Sequence, residues 1–537
     1  MMCRISGRRV AQGVSLFLFV SLLVFTSSQL SNDIIDKWAS FYMLVDPLRL
    51  PIIFIALREI SLHIILFIIV ALLIIRFGRF FCAKICPMGI TIDIIDNFAN
   101  VDNKSLNTAV KYIALLAIAV CALVAGVNLS FHLMPMSIAT RLYALVLYPF
   151  TTLIASGGLE VAQNLGLLDY ATFGVRRYAT VLYIVVLFTA LAVLARHYKR
   201  FWCRYLCPAG AMFGLFSALG RYRRAVNVVQ CIKCGKCERV CPMCAIDKIY
   251  SYDHKECIAC KDCERSCPVG AISFGWRGKR ESGSGTFNTV PITRRRLLGG
   301  AFAGIGVGLF SLTELKSLIY LPREHSDVID AALIRPPGAL PEAEFLARCV
   351  RCGECMVACP TNGLQPLALQ SGTAALFSPV LVPAIGNCSN TCNKCGHVCP
   401  TSAIRELSLE EKRHAKIGVA RILKERCLAW EEGKSCVVCQ EVCPYNAIKL
   451  DRVAGAVASV PVIEENRCFG CGACENACPQ ALAAVIVEPT GAIRISEGSY
   501  VEKSLSLGLS LKVNEKTNII EYQQEDSNGK LPPGFVE

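Results

Sequence analysis

The sequence predicts an α-helical membrane bundle of duplicated hairpins, four spans plus one anchor, joined to small α+β domains organised around cysteine. Three observations predict it. The mean hydropathy is +0.45 over 537 residues, too high for an ordinary soluble enzyme and suited to membrane spans. The chain carries 31 cysteines, too many for a free-thiol cytosolic enzyme, and it is too long and apolar for a small disulfide scaffold. Metal ligation is the remaining use for that much sulfur. Third, the formal net charge of +14 is unevenly placed. Residues 1–312 hold 34 basic and 16 acidic residues, net +18, whereas residues 313–537 hold 22 and 26, net −4. At roughly 150 residues per domain the length allows three or four units. Disorder is excluded by the 53% hydrophobic content and the lack of a long low-complexity tract.

The spans are read at about Val10–Ser28, Ile60–Ile75, Tyr112–Val127 and Tyr178–Ala195, each apolar and without internal charge. Several fall short of the roughly 20 residues a bilayer core needs, so flanking Arg and Lys are expected to snorkel. Basic residues in the connections set the orientation. Residues 196–296 carry 20 Lys+Arg against 7 Asp+Glu, while 29–59 and 128–177 hold only three Lys/Arg each. The N-terminus and the long 196–296 connection are therefore expected in the cytoplasm. Leu142–Ser156 is apolar enough for a span, but Pro149 and the charge pattern favour an interfacial or re-entrant piece facing outward. The fifth segment, Leu297–Leu312, follows Arg294-Arg295-Arg296 and is rich in glycine. It reads as a stop-transfer anchor or a twin-arginine export signal with Leu297 in the usual Phe position. No small-x-small site follows, so an uncleaved anchor is expected, with everything after about residue 313 outside the cytoplasm. The charge is a topology signature, and no nucleic-acid partner is expected.

The cysteines form six quartets. Cys231, Cys234, Cys237, Cys241 follow C-x2-C-x2-C-x3-C-P, as do Cys257, Cys260, Cys263, Cys267 and Cys349, Cys352, Cys355, Cys359 and Cys468, Cys471, Cys474, Cys478. Two looser versions are Cys388, Cys392, Cys395, Cys399 and Cys427, Cys436, Cys439, Cys443. This is the bacterial ferredoxin run, in which three close thiolates take three corners of a cubane and the fourth cysteine reaches the partner cluster. Six [4Fe–4S] clusters in α+β bacterial ferredoxin-like domains are expected. Structural zinc is the alternative, but it usually draws two well-separated cysteine pairs. Ala245-Ile246, Ala271-Ile272, Ala403-Ile404 and Ala447-Ile448 follow the Cys-Pro pairs, where a short strand would pack the next repeat. Cross-ligation is expected in the first pair, Cys231, Cys234, Cys237 with Cys267 and Cys257, Cys260, Cys263 with Cys241. For the last four quartets a nested arrangement would join the first with the fourth and the second with the third. A twin-arginine route fits this chemistry, since clusters are built in the cytoplasm and must be exported folded.

A second repeat lies in the apolar half. Arg79-Phe80-Phe81-Cys82-Ala83-Lys84-Ile85-Cys86-Pro87-Met88-Gly89 lines up with Arg200-Phe201-Trp202-Cys203-Arg204-Tyr205-Leu206-Cys207-Pro208-Ala209-Gly210. Each copy follows a span, so both face the cytoplasm. Cys82, Cys86, Cys203 and Cys207 are candidates for a seventh cluster, another metal or a redox disulfide; two similar turns kept for packing are the bland alternative. Cys3, Cys121 and Cys244 match no pattern and read as incidental thiols. No Cys-x-x-Cys-His appears, so covalent haem is not indicated. His63, His132, Asp46, Arg49 and Glu160 are candidates for a quinol pocket near the outer face. No other catalytic constellation is convincing.

These motifs resemble two subunits of the periplasmic nitrate reductase electron-supply system joined end to end. Residues 1 to about 280 resemble its membrane polyferredoxin, the H subunit, with four spans, two C-x3-C-P motifs and two ferredoxin quartets. Residues from about 290 resemble its exported polyferredoxin, the G subunit, itself similar to methylamine-utilisation ferredoxins. The H-type half also resembles membrane ferredoxins serving nitrous oxide reduction and oxidase assembly, so likeness of fold does not name the acceptor. The domain plan is 1–220 membrane domain, 221–280 cytoplasmic two-cluster domain, 281–312 linker and anchor, 313–490 exported four-cluster domain and 491–537 extension. The resemblance implies a multi-pass protein of the bacterial inner membrane. It would pass electrons from the quinol pool through 4Fe–4S clusters to a periplasmic reductase or cytochrome. A cluster-bearing assembly or regulatory factor is the rival, and a ferredoxin-driven quinone reductase is a third reading. Electrons cannot hop a hydrocarbon core of ~30 Å unaided; quinol, the C-x3-C-P site or a partner's haem are the candidate bridges.

Overall fold

The computed structural model describes residues 7–27, 37–38, 42, 51, 53, 64–98, 106–125, 128–164, 176–178, 180–220, 222–246, 252–276, 294–312, 333–368, 375–453 and 457–511. The first half is a bundle of apolar helices. They run Gly7–Ser27, Ile64–Phe77, Pro87–Phe98, Ala109–Ala125, Pro135–Leu142, Tyr148–Asn164, Val181–Ala195 and Pro208–Leu219, with Arg294–Leu312 added later in the chain. Leu, Ile, Val and Phe dominate them, and many point outward: Phe17, Leu72, Leu123, Val186 and Val193 are all exposed. Among the described residues two helices are long and apolar enough to cross a membrane by length and composition, Gly7–Ser27 and Pro135–Leu159. The helices at the second, third and fourth expected spans have 14, 17 and 15 described residues.

Pro135–Leu159, which includes the stretch expected to be interfacial or re-entrant, is one continuous helix that passes through a π turn at Tyr143–Leu147. Tyr148 N–H donates to Tyr143 C=O there, five residues back, so the missing N–H of Pro149 falls where the α ladder is already interrupted. The first part is fully enclosed, with every residue of Pro135–Arg141 buried.

The duplication is visible in space. In each copy an apolar helix leads through a C-x3-C-P turn into a 12-residue helix that begins at the proline, Pro87–Phe98 and Pro208–Leu219. Proline suits that first position, where its missing N–H has no helical partner to lose. Arg294–Leu312 lies parallel to Ala109–Ala125, with Gly300 against Ile113 and Gly304 against Ala117 and Val120. A Cβ at Gly304 would stand 2.6 Å from the Ala117 carbonyl oxygen, so only glycine permits this approach.

The cysteine-rich domains are small and built from two-stranded antiparallel ladders. Tyr222–Val226 pairs with Ile272–Trp276 around the first two quartets. Val419–Ile422 pairs with Val485–Glu488 around the last two, and Ile448–Asp451 with Val460–Ile463 between them. Leu364–Pro366 pairs with Pro379–Leu381 between the other two. The Ala-Ile steps behave as expected: Ile272 and Ile448 open strands, and Ile246 and Ile404 make isolated bridges.

These domains sit at opposite ends of the helices. Arg8, at the start of the Gly7–Ser27 helix, binds Asp262 at 2.7 Å. At its far end Arg176 donates to the Ser27 carbonyl at 3.1 Å and also to that of Val357. Twenty-one helical residues separate these ends, roughly 30 Å of rise. The Val181–Ala195 helix repeats the arrangement. Near its start Tyr178 Oη donates to the Met356 carbonyl at 3.4 Å and Tyr183 packs on Phe377, while its other end leads into Cys203. Arg351 is the centre of the second contact: it is 1% exposed, lies 4.2 Å over the Phe131 ring and donates to the Asn128 carbonyl at 3.3 Å.

Candidate iron–sulfur centres

Each ferredoxin quartet is shaped by backbone conformation. In the tight runs the second and fourth residues after the first cysteine are left-handed: Lys233 and Gly235, Ala259 and Lys261, Arg351 and Gly353, Gly470 and Gly472. Alternating right- and left-handed residues turn successive N–H groups toward one concavity, which suits an anionic centre. A second left-handed residue falls three positions after the fourth cysteine, at Cys244, Gly270, Asn362, Ser402 and Asn446. It aims a following amide at that cysteine: Ala245 N–H donates to Cys241 Sγ at 3.4 Å, Ala271 to Cys267 at 3.3 Å and Ala447 to Cys443 at 3.3 Å. Cys244 thus has a turn position, which its sequence spacing had left unexplained.

The structure brings thiols together across quartets. One cavity is lined by Cys257, Cys260, Cys263 and Cys241, as the sequence suggests, and Cys231, Cys237 and Cys267 pack in one cluster beside it. In the later half Cys388, Cys392 and Cys395 share a cavity with Cys359, and Cys468, Cys471 and Cys474 share one with Cys443. Burial, then the nearby Cys352, Cys349, Cys399 and Cys395, hold the Cys355 thiol well above its ordinary value. Cys439 is pushed up to about 11 by burial, with Cys436, Cys427 and Cys478 adding to it. The first quartet therefore pairs with the second and the third with the fourth, and the nested expectation is corrected. The reason is strand pairing: Val419–Ile422 and Val485–Glu488 close around the last two quartets alone.

The two pairs then join. Cys388 N–H donates to the Cys471 carbonyl at 2.8 Å, and the Tyr445 ring lies between their cavities against Phe469. At the other end the Cys349–Cys355 loop meets the helical half, where Leu145 fills the space beside Gly353. The four centres would run in the order Cys349, Cys388, Cys471, Cys427 away from the helices.

Among the described residues the cysteines form no disulfide, and no group of three or more His, Cys, Asp or Glu is arranged to hold a single metal ion. A tetrahedral zinc site needs four ligands near 2.3 Å from one atom. Four thiols in ferredoxin spacing that line one cavity fit a [4Fe–4S] cubane, and burial disfavours an unligated thiolate there.

Cys82, Cys86, Cys203 and Cys207 line one cavity together with Arg79, Arg200, Phe81, Trp202 and Phe213. Cys86 and Cys207 each precede a helix, and Gly210 N–H donates to Cys207 Sγ at 3.2 Å. Arg200 binds both Asp93 oxygens at 2.6 Å, with Arg8 and Gln12 on the same carboxylate. Despite its burial, these cations hold Asp93 down at about 2. Arg79 lies 3.5 Å from Glu256, which also takes Lys111. The sequence shows an arginine at the same place in each repeat, but these partners come from distant segments.

His132 is buried against Phe131, with ring centroids 4.1 Å apart. Burial first, then Arg141 and Arg351, push its pKa down to about 3. Asp46, Arg49 and His63 lie outside the described residues, as does the Glu160 side chain. Cys121 is buried in the Ala109–Ala125 helix, and Cys3 lies outside the described residues.

Comparison with known proteins agrees with this chemistry. A 4Fe-4S dicluster domain model matches residues 432–482, and a 4Fe-4S binding domain model matches 250–273 and 346–365. A second 4Fe-4S binding domain model matches 61–100 and 178–226, the two C-x3-C-P repeats. The chain is 37% identical over 203 residues to the methylamine utilization ferredoxin-type protein MauM of Paracoccus denitrificans, covering 37% of this chain and 88% of that protein. It is 33% identical over 203 residues to the ferredoxin-type protein NapG of Escherichia coli, 36% of this chain and 81% of NapG. The putative electron transport protein YccM of Escherichia coli is 29% identical over 191 residues, 34% of this chain and 45% of YccM. A series of ferredoxin quartets whose thiols share cavities, with relatives covered over most of their length, establishes that the chain belongs to the MauM and NapG family of ferredoxin-type proteins and is an iron–sulfur electron-transfer protein.

Proposed function

We propose that the chain is the membrane-bound electron-transfer component of a quinol dehydrogenase, taking electrons from quinol and delivering them to a periplasmic reductase or cytochrome. The observation that carries this reading is the placement of iron–sulfur domains at opposite ends of an apolar helical bundle, with the Cys349 quartet seated on the helices. In this reading the helices span the bacterial inner membrane as an H-type polyferredoxin fused to a G-type one. The Arg294–Leu312 helix is an uncleaved twin-arginine-type anchor. Its parallel packing along Ala109–Ala125 puts residues 333–511 on the side opposite the Cys231–Cys267 domain.

Six [4Fe–4S] clusters held by the quartets would supply one-electron chemistry, so a quinol releases its two electrons singly and its two protons to solvent. The protein residues donate amides to the quartet sulfurs and join the two later pairs of centres by the Cys388–Cys471 contact. The relation to the ferredoxin-type protein NapG supports electron transfer through these clusters. The test is anaerobic addition of a quinol analogue to the purified full chain while cluster spectra are followed. Reduction that a quinone-site inhibitor blocks is expected; clusters that stay oxidised under excess quinol would overturn the reading.

A further inference from the structure

We infer that the loop of the first ferredoxin quartet, residues 228–240, is a docking surface for a small, acidic, soluble electron-carrier protein. The carrier delivers single electrons to the centre of Cys231, Cys234 and Cys237. The inference rests on the iron–sulfur reading of the chain and is independent of quinol.

The two quartets of the domain closed by Tyr222–Val226 and Ile272–Trp276 face different surroundings. The second is fastened to the helices: Arg8 binds Asp262 at 2.7 Å, Arg79 lies 3.5 Å from Glu256, and Gly78 sits beside Ala259. The first has no such fastening. Among the described residues no hydrogen bond or ion pair joins 228–238 to the helical half. Contact begins only at Arg239, whose carbonyl accepts from Lys199 Nζ at 3.4 Å. Cys234 is accordingly the one exposed cysteine among the described residues, whereas Cys352, at the same place in the third quartet, is buried. An exposed ligand puts its centre at the edge of the protein, within reach of a partner.

The exposed loop has the make-up of an encounter site. Val228, Val229 and Ile232 all face solvent, Val229 at 95% and Ile232 at 60% exposure. Single exposed apolar side chains are ordinary, but three within five residues beside an exposed ligand cysteine form a patch. Backbone bonds hold its tip. The Asn227 side-chain oxygen accepts from Val229 N–H at 3.1 Å and Gln230 N–H at 3.4 Å, and Cys231 N–H donates to the Asn227 carbonyl at 3.2 Å. A turn formed in advance leaves little ordering to offset binding.

Charge chooses the partner. Lys233, Lys236 and Arg239 are exposed, and none has a carboxylate partner among the described residues. Against these three cations residues 228–240 hold one acid, Glu238, so the loop is net +2. Apolar residues ringed by cations select an acidic protein surface and steer it to dock. The later iron–sulfur half does not compete for it, since residues 313–537 are net −4. An anionic membrane surface would also suit basic and apolar residues together. A redox protein is favoured because the patch is centred on Cys234, and a lipid surface needs no ligand there. On docking, the reduced carrier loses one electron and the oxidised centre beside Cys234 gains it, with no proton or bond change. Cys241, the last cysteine of the same quartet, lines the cavity of Cys257, Cys260 and Cys263, so the next centre lies directly behind, against the helices. In the topology proposed above this surface is cytoplasmic, and the chain would accept electrons from a soluble carrier as well as from quinol.

The test uses the full, cluster-loaded chain in nanodiscs of zwitterionic lipid, with an acidic two-[4Fe–4S] ferredoxin as probe. Amide hydrogen exchange at 228–240 should slow when the oxidised ferredoxin is added, and the protection should fade as salt rises from roughly 0.05 to 0.5 M. Reduced ferredoxin should be oxidised as the chain's clusters are reduced. The variant Val229→Glu/Lys236→Glu should slow this step about tenfold or more at low salt with iron content unchanged. Lys236→Gln alone should show the same loss in smaller measure. Equal protection by a basic cytochrome c, docking unaffected by the double variant, or ferredoxin that stays reduced beside oxidised clusters would overturn the proposal. So would protection of 228–240 in anionic-lipid nanodiscs without any carrier, which would make the loop a membrane contact. Failure of quinol to reduce the chain would leave all these outcomes unchanged, so the two readings fail separately.

Discussion

Replacing Phe131 by leucine should loosen the iron–sulfur domain of residues 333–511 from the helices while leaving every quartet cysteine in place. The Phe131 ring is fully buried and lies 4.2 Å beneath the Arg351 guanidinium. A desolvated cation–π contact of this kind contributes about 2 kcal/mol. The smaller side chain leaves part of a buried site unfilled, about 1 kcal/mol more. A total near 3 kcal/mol lowers the docked population roughly 100-fold, at tenfold per 1.4 kcal/mol. Arg351→Met also removes the charged hydrogen bond to the Asn128 carbonyl, about 1.5–3 kcal/mol, and should fall a further tenfold or more. The assay is amide hydrogen exchange over residues 351–358 and 128–147, with iron content measured in parallel. Faster exchange at unchanged iron is expected. Wild-type protection in both variants would refute the docking through this pair.

Cys443→Ser should damage the centre of Cys468, Cys471 and Cys474 and spare that of Cys427, Cys436 and Cys439, read as loss of one EPR signal with the other retained. Cys244→Ser should leave the iron count unchanged, whereas Cys241→Ser removes a ligand. Gly304→Val drives a Cβ into the Ala117 backbone; overpacking of this kind costs about 1–3 kcal/mol. Cross-linking between the Arg294–Leu312 and Ala109–Ala125 helices should fall accordingly. Asp96, raised to about 6 mainly by burial, binds a proton more readily folded than unfolded. Its ionisation therefore removes stability as pH rises from about 4 to about 6, so Asp96→Asn should stabilise above pH 6 and make no difference below about pH 4. Thermal loss of cluster absorbance at the two pH values measures it.

The quartets were legible because cubane ligation is local: three thiols within seven residues and a Cys-Pro end leave little else for Cys257–Cys267 to be. The meeting of Cys241 with Cys257, Cys260 and Cys263 was legible too, since only two quartets stand between Tyr222–Val226 and Ile272–Trp276. The order of the last four was not, because it depends on which strands close the repeat, and Val419–Ile422 chooses Val485–Glu488 through contacts made only in the fold. That Pro149 sits inside a continuous helix was not legible, because the π turn just before it that absorbs the lost bond leaves no mark in the sequence. The arginines at the head of each C-x3-C-P repeat were visible as a repeated letter. Their crossing from one copy to the other, and their meeting with Asp93 and Glu256, needed three dimensions. Arg351 looks like any basic residue between two cysteines until Phe131 arrives from 220 positions earlier.

Electron delivery across the bundle is tested most directly in vesicles holding the full chain in one orientation, with quinol in the bilayer and a membrane-impermeant acceptor outside. The account predicts acceptor reduction at the face bearing residues 333–511, and its loss in Cys352→Ser, which breaks the centre seated on Phe131 and Leu145. Acceptor reduction that is absent in the wild type, or that persists unchanged in Cys352→Ser, would contradict it.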